Sequence, residues 1–324
     1  MNYRTLGRTG LVVSEIGFGA WGIGGRTAGH TSYGETDDAQ SLTALQRALD
    51  RGITFFDTSS AYGNGHSEEL IGRAFAKSRH SAIIATKAGY DSWDRPPDFS
   101  AAAIVASAER SLTRLRSDYI DVFQLHNAPR DALRSDELQE ALSRLTLGGK
   151  IRTWGVSTKS PAEAEETIRL WKAPIVQANF NMMDVRALTC GLFDDVVHHQ
   201  VGFIARTPLC FGFLTGLIRR DTIFPPGDHR LGWPRAQLDN WIDGAADLLA
   251  AVSAVPGRSA VHSALRFCLS FAAVSSVIPG ILTSKEVDDN ADASSLGALP
   301  STAVEAVLAI NRGREFIVSP ARVA

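Results

Sequence analysis

Short β-branched runs alternate with longer helical patterns from one end of the chain to the other, and that rhythm leaves few architectures open. Runs at residues 15–18, 54–57, 82–86, 119–124, 151–156, 175–178, 202–205 and 275–278 read as strands. Several are nearly continuous apolar stretches, such as Ile83-Ile84-Ala85 and Ile120-Asp121-Val122-Phe123, as expected of strands covered on both faces. Between them, residues 37–50 place Leu42, Leu45 and Leu49 on one helical face, with Gly52 just beyond as a stop. Residues 100–116 carry Ile104, Ala108, Leu112 and Leu115 behind Ser100 as N-cap. Residues 135–147 and 161–170 repeat the theme, the latter with Ser160 ahead of a first-turn proline.

No linker of biased composition divides the chain, so residues 1–324 are expected to form a single domain, a (β/α)8 TIM barrel. A doubly wound sheet would instead carry a glycine-rich turn that opens a helix straight after the first strand. Here Gly17-Phe18-Gly19-Ala20-Trp21-Gly22 opens no helix, and Gly22-Ile23-Gly24-Gly25 runs into a polar loop. A barrel takes about 250 residues. The remainder is expected in an N-terminal hairpin over residues 3–13, a long rim loop over 210–236 and a C-terminal tail from Pro300 onward.

Composition narrows the function classes. Lys+Arg is 33 against Asp+Glu 35, a formal net charge of -2, so no chain-wide positive field exists and nucleic acid is not an expected partner. Cys190, Cys210 and Cys268 lie far apart with no C-x-x-C pair, which argues against a disulfide framework or zinc cage and suits a reducing cytoplasm. No apolar run reaches the roughly 18 residues of a membrane span, and Met1-Asn2-Tyr3-Arg4 lacks the apolar core of a signal peptide, so no membrane partner is expected. The pair His198-His199 has no third ligand at suitable spacing and reads as a surface helix feature, so no metal is expected.

In such a barrel the reacting groups sit where strands end. The second strand ends at Asp57, followed by Thr58-Ser59-Ser60-Ala61-Tyr62-Gly63. The third ends in Thr86-Lys87 and the fourth in Leu125-His126-Asn127. An acid, a phenol, an amine and an imidazole thus share one rim. A phenol has an ordinary pKa near 10, and a nearby ammonium favours its phenolate. A carboxylate can hold that ammonium in place while an imidazole orients an incoming carbonyl oxygen. The set suits a phenolic acid/base for carbonyl–alcohol interconversion, which needs a hydride partner. Each residue alone has a plainer reading: Asp57 as a turn or cap, Lys87 as a solvated charge, His126 as a loop hydrogen-bonder. Their concurrence at successive strand ends points to chemistry.

The runs Phe55-Phe56-Asp57-Thr58-Ser59-Ser60-Ala61-Tyr62-Gly63, Ser67-Glu68-Glu69-Leu70-Ile71-Gly72, Ala85-Thr86-Lys87 and Asp118-Tyr119-Ile120-Asp121-Val122-Phe123-Gln124-Leu125-His126 carry a resemblance. With Tyr3-Arg4-Thr5-Leu6-Gly7-Arg8-Thr9-Gly10, Gly148-Gly149-Lys150-Ile151-Arg152 and Gly155-Val156-Ser157, they resemble the aldo-keto reductase superfamily over residues 3 to about 290. The chain resembles most its longer bacterial branch, related to the β subunits of voltage-gated potassium channels. The resemblance implies a (β/α)8 barrel, an NADPH cofactor with NADH as the alternative, and a small-molecule carbonyl or sugar-like substrate.

It also implies roles. Tyr62 becomes the general acid/base, Lys87 its pKa-lowering neighbour, Asp57 the lysine's partner beside the cofactor, and His126 the substrate orienter. Gly19, Ala20 and Trp21 would lie near the nicotinamide ribose, Ser157 and Gln177 (with Asn179 nearby) at the carboxamide, and Arg206 stacked on the nicotinamide. Pro208, Leu209, Gly212, Leu214, Thr215 and Gly216 would cover the pyrophosphate, and Gly280, Ile281, Glu286 and Asn290 belong to the adenosine-binding stretch 278–290. Where NADPH-selective members carry arginine, this chain has Leu282 and Glu286, with Lys285 one position away. A carboxylate there repels a 2′-phosphate and can accept from a free 2′-hydroxyl. The expected substrate pocket is Trp21, Tyr62, Trp93 and His126, with Phe211 and Trp233 as apolar walls and Asp91 and Arg235 as polar rim groups. Two other readings keep the fold: a redox-silent lyase, epimerase or cyclase, and a non-catalytic NADPH-sensing regulatory subunit.

Overall fold

The computed structural model describes residues 1–27, 31–255 and 259–318. A hairpin of β1 (Tyr3–Thr5) and β2 (Val12–Ser14) opens the chain. Eight parallel strands follow: β3 (Phe18–Gly19), β4 (Phe55–Asp57), β5 (Ile83–Ala88), β6 (Ile120–His126), β7 (Ile151–Ser157), β8 (Ile175–Asn179), β9 (Gly202–Arg206) and β10 (Val274–Ile278). Each neighbours the next in chain order, as a (β/α)8 barrel requires. The helices are α1 (Asp38–Asp50), α2 (His66–Phe75), α3 (Ala101–Leu115), α4 (Arg130–Leu133), α5 (Asp136–Leu147), α6 (Pro161–Trp171), α7 (Arg186–Thr189), α8 (Leu192–His198), α9 (Arg235–Ala251), α10 (Ala260–Leu269), α11 (Ser284–Ser295) and α12 (Ser301–Gly313).

Side-chain caps place the helix starts. Asp37, Ser100, Ser135 and Ser160 accept the backbone N–H of Gln40, Ala103, Leu138 and Glu163, and Glu163 reciprocates at Ser160. Each such cap contributes about 1 kcal/mol. The ring closes where β3 meets β10. Gly17 N donates to Val277 O (2.8 Å), Val277 N to Glu15 O (2.9 Å) and Gly19 N to Pro279 O (2.9 Å). A Cβ on Gly19 would sit 2.7 Å from that last carbonyl, so a side chain there would push the seam apart.

Inside the barrel the two-residue strand period sorts side chains into layers. Phe55, Ala85, Val122, Ile175, Ile204 and Ile278 form an apolar inner layer, packed with Leu6, Leu11 and Val13 of the hairpin. The hairpin therefore plugs the end of the barrel opposite the strand C-termini. Phe56, Ile84, Phe123, Val176 and Phe203 alternate with these and belong to the outer core under the helices. Two residues further along the same inward face stand Asp57, Lys87, Gln124 and Gln177, polar and buried.

One expectation needs correction. The first barrel strand lies at Phe18–Gly19 rather than 15–18, because the preceding residues take part in the seam as isolated backbone bonds. The C-terminal tail from Pro300 onward follows the barrel as expected, and much of it is helical. Its Ala303 and Val307, one helical turn apart, are buried, and the segment forms α12 against α9. The hairpin and the long rim loop between β9 and α9 lie where expected.

Leu6 is fully buried in the plug. Leu6→Ala should lower the unfolding free energy by about 2–5 kcal/mol, read by urea denaturation followed by circular dichroism. A change within experimental error would mean the hairpin does not pack into the barrel.

Candidate active site

Asp57 ends β4, Lys87 is the penultimate residue of β5 and His126 ends β6, so adjacent parallel strands deliver all three to one rim. Lys87 Nζ donates to Asp57 Oδ1 (2.5 Å), to Thr58 O (2.9 Å) and to Tyr62 Oη (3.1 Å), which accounts for every hydrogen of its ammonium. The other carboxylate oxygen, Asp57 Oδ2, accepts from Gln177 Nε2 (2.7 Å) and Gln124 Nε2 (3.1 Å). An unpaired ammonium at such depth would cost several kcal/mol. Burial works against the charge on Lys87, but attraction to Asp57 and Tyr62 outweighs it and holds the lysine above its ordinary pKa.

Tyr62 stands on a 3₁₀ turn, Tyr62–Gly65, aimed by glycines. Gly63 has φ +62°, and a Cβ there would lie 2.1 Å from Gly24 O; a Cβ on Gly24 would lie 2.8 Å from Tyr62 C. Only two glycines can face each other this closely. Thr58 Oγ1 and Ser67 Oγ are 2.8 Å apart, and Ser67 Oγ donates to Ala20 O (2.9 Å), tying α2 to the first barrel loop. Glu68, fully buried, accepts from Arg114 Nε (2.6 Å) and Thr86 Oγ1 (2.5 Å), which fixes α2 against β5.

His126 is buried, with Nδ1 3.2 Å from Ser59 Oγ. Burial, followed by repulsion from Lys87, Arg206 and Lys159, holds its pKa well below the ordinary histidine value, so the ring is neutral near pH 7. Its edges meet Tyr62, Tyr90 and Trp93 at centroid distances of 6.0, 5.7 and 5.4 Å. Three of the expected pocket residues, Tyr62, Trp93 and His126, thus come together, joined by Tyr90, which sequence reasoning had not singled out. Trp21 belongs to a second aromatic group: its Nε1 donates to Thr31 O (3.0 Å), and its ring meets Tyr33 and His229. Phe211 and Trp233 extend that group through His229 and Trp241. Asp91 pairs with Arg110, and Arg235 with Asp239.

Further round the rim, Ser157 of β7 sits beside Gln177 of β8 and donates to its Oε1 (3.1 Å). Arg206 Nε donates to Asn179 Oδ1 (2.8 Å), while its two Nη groups have no hydrogen-bond partner among the described residues. Burial pulls the Arg206 pKa down, and attraction from Tyr62 and Asp57 opposes that pull. In the loop that follows, past Pro208 and Leu209, Gly212 and Gly216 adopt φ +95° and +73°, and Thr215 Oγ1 donates to Gly212 O (2.7 Å). Leu214 is buried beneath this turn. Gly280 and Ile281 lie across the seam from Gly19, with Ile281 N donating to Gly19 O (3.3 Å).

At the start of α11, Thr283 and Glu286 form a capping box: Glu286 Oε2 accepts from Leu282 N (2.7 Å) and Thr283 N (2.9 Å). The pattern Thr-x-x-Glu was visible in the sequence as a helix start. Lys285 reaches outward to Asp289 (2.6 Å), and Asn290 is buried on the opposite face. Beside them a cavity of about 300 Å³ is lined by Glu35, Thr36, Asp37, Gln40, Ser41 and Leu282. The rings of His198 and His199 pack on each other, and no group of three or more possible metal ligands exists among the described residues. Nor is any described helix long and apolar enough to cross a membrane.

A phenol braced by a buried ammonium, beside a neutral imidazole and aromatic walls, can pass a proton at one fixed point while holding an oxygen in place. Comparison with known proteins gives the family. The model of the aldo/keto reductase family matches residues 15–312. The aldo-keto reductase YhdN of Bacillus subtilis is 34% identical over 279 residues, covering 83% of this chain and 81% of that protein. L-glyceraldehyde 3-phosphate reductase of Escherichia coli is 32% identical over 311 residues, 90% of this chain and 87% of that one. The solved structure of the glycerol dehydrogenase AKR11B4 from Gluconobacter oxydans superposes with a TM-score of 0.81 at 28% identity, covering 99% of each chain. On its barrel, its rim and these likenesses together, the chain belongs to the aldo/keto reductase family of oxidoreductases.

Proposed function

We propose that this enzyme interconverts an aldehyde or ketone (or a sugar hemiacetal) and its alcohol (or lactone) with an NAD(P)H cofactor, using Tyr62 as general acid/base. The observation that carries the reading is the Lys87 ammonium, held between Asp57 Oδ1 and Tyr62 Oη.

Features of the rim support such a cofactor. Arg206 offers a half-buried cation whose Nη groups have no hydrogen-bond partner among the described residues, and the turn offers backbone without a side chain at Gly212 and Gly216. Gly19, Ala20 and Trp21 with Ser157, Gln177, Asn179 and Arg206 would hold the nicotinamide end, the segment from Pro208 to Gly216 the pyrophosphate, and Gly280, Ile281 and Asn290 the adenosine. When bound, the reduced nicotinamide supplies a hydride, two electrons and one hydrogen nucleus, to the carbonyl carbon. Tyr62 Oη gives its proton to the carbonyl oxygen as the C=O π bond opens, and Lys87 steadies the charge left on the phenolic oxygen. In the reverse direction Tyr62 takes the proton from the alcohol. His126 hydrogen-bonds the reacting oxygen, and Tyr90 and Trp93 close the pocket against water. Two relatives are named for a triose phosphate and for glycerol, which supports a small hydroxylated carbonyl as substrate. Three free, separated cysteines suit a reducing cytoplasm.

NADPH is the expectation from family resemblance, but the charge around the proposed adenosine end supports NADH as an equal. Glu35 and Asp37 line the adjoining cavity, Glu286 stands beside it, and Lys285 is turned away to Asp289. That environment disfavours an added 2′-phosphate.

Tyr62→Phe should cut turnover with an activated aldehyde by about 10²–10⁴-fold while changing the cofactor Kd by less than about twofold; retention of most activity would remove the proton-donor role. In fluorescence titrations NADH should bind wild type at least as tightly as NADPH. Glu286→Gln, which keeps the capping geometry, should move the ratio several-fold toward NADPH. A wild-type preference for NADPH of more than tenfold would overturn this account of the adenosine end.

A further inference from the structure

We infer that Ser59 sets the tautomer of His126, keeping the ring proton on Nε2, where it faces the barrel mouth as a donor. The role of that donor rests on the carbonyl reduction proposed above; the tautomer does not.

At this buried site every hydrogen-bonding group must find its partner within the protein. Ser59 is fully buried, two residues past the end of β4. Its Oγ has two lone pairs and one hydrogen. Ala61 N lies 3.2 Å away, and a backbone N–H can only donate, so it takes one lone pair. The other partner of Oγ among the described residues is His126 Nδ1 at 3.2 Å. A neutral imidazole carries one ring hydrogen, leaving two arrangements. If Nδ1–H donated to Oγ, the serine hydroxyl hydrogen would be buried with no acceptor. If Oγ–H donates to Nδ1, every group at the site is satisfied, and buried polar groups in folded proteins are overwhelmingly satisfied. The ring hydrogen is then on Nε2.

That nitrogen has no hydrogen-bond partner within the protein among the described residues, while the ring itself lies edge-on to Tyr62, Tyr90 and Trp93. An Nε2–H there offers a carbonyl oxygen a second donor beside Tyr62 Oη. With the opposite tautomer a nitrogen lone pair would face the oxygen lone pairs and repel them. Ser59 is thus a positioning residue that acts through His126. It also starts the turn that carries Tyr62, whose N donates to Ser59 O (3.1 Å), so backbone and side chain of one residue arrange both groups that meet the substrate oxygen.

The test is ¹⁵N NMR of the imidazole ring in resting enzyme, which requires no turnover. Wild type should show Nε2 protonated and Nδ1 bare. Ser59→Ala should show a mixture of tautomers and lose about tenfold in kcat/KM, chiefly through kcat, with cofactor Kd unchanged. Ser59→Thr, which keeps a hydroxyl, should return the ring to the wild-type pattern. A wild-type ring protonated on Nδ1 overturns the inference, as does a Ser59→Ala ring identical to wild type. If Ser59→Ala does not fold, the wild-type spectrum alone decides. An Nε2-protonated ring in an enzyme that reduces no carbonyl would leave the tautomer standing and sink the proposed function instead.

Discussion

The ammonium of Lys87 has three hydrogens and three acceptors, and satisfying them organises the upper half of the barrel. One acceptor ends β4, one is the carbonyl just past it, and one is the phenol on the following turn. The carboxylate that neutralises the charge is itself held by an amide from β6 and by one from β8, on the far side of the lumen. A buried charge pair is tolerated only when all its hydrogen-bonding capacity is met. Four strands must therefore hold their registers together for Lys87 to remain charged within hydrogen-bond reach of Tyr62 Oη.

Other parts of the fold serve that arrangement. The hairpin and the apolar inner layer fill the barrel below the charge pair and keep water from reaching it from beneath. The facing glycines Gly24 and Gly63 press the first barrel loop onto the Tyr62 turn, and the Ser67–Ala20 bond repeats the connection. Even the aromatic edges around His126 contribute. They help exclude the solvent that would otherwise let the imidazole gain a second proton. Arg206, half a barrel away, adds a positive charge to the same rim and forms no salt bridge among the described residues.

Much of this could be read before the fold was known, for a definite reason. Strand alternation places Phe55 and Asp57, or Ala85 and Lys87, on the same inward face, so a polar residue at the end of an apolar run marks the rim. Asp57, Lys87 and His126 were legible in that way, and Tyr62 by its spacing from Asp57. Helix caps at Ser100 and Ser160 are legible because capping is local. What escaped was non-local. A two-residue β3 held by seam bonds has no pattern of its own, and the link from Gln177 to Asp57 spans 120 positions in sequence. Ser59 looks like any turn serine until β6 brings His126 beside it. Glu286 shows the opposite failure: its capping-box signal is local and present in the sequence, yet its charge alone suggests a different role.

If the Asp57–Lys87–Tyr62 chain acts as one unit, removing a second member after the first should cost little more. The direct measurement is the single-turnover rate of reduced-nicotinamide oxidation in wild type, Asp57→Asn, Tyr62→Phe and the double variant. The account predicts a double variant within about threefold of Tyr62→Phe alone, because the carboxylate acts through the ammonium on that phenol. A double variant slowed by the product of the two single effects would show that Asp57 and Tyr62 act independently, and would contradict it.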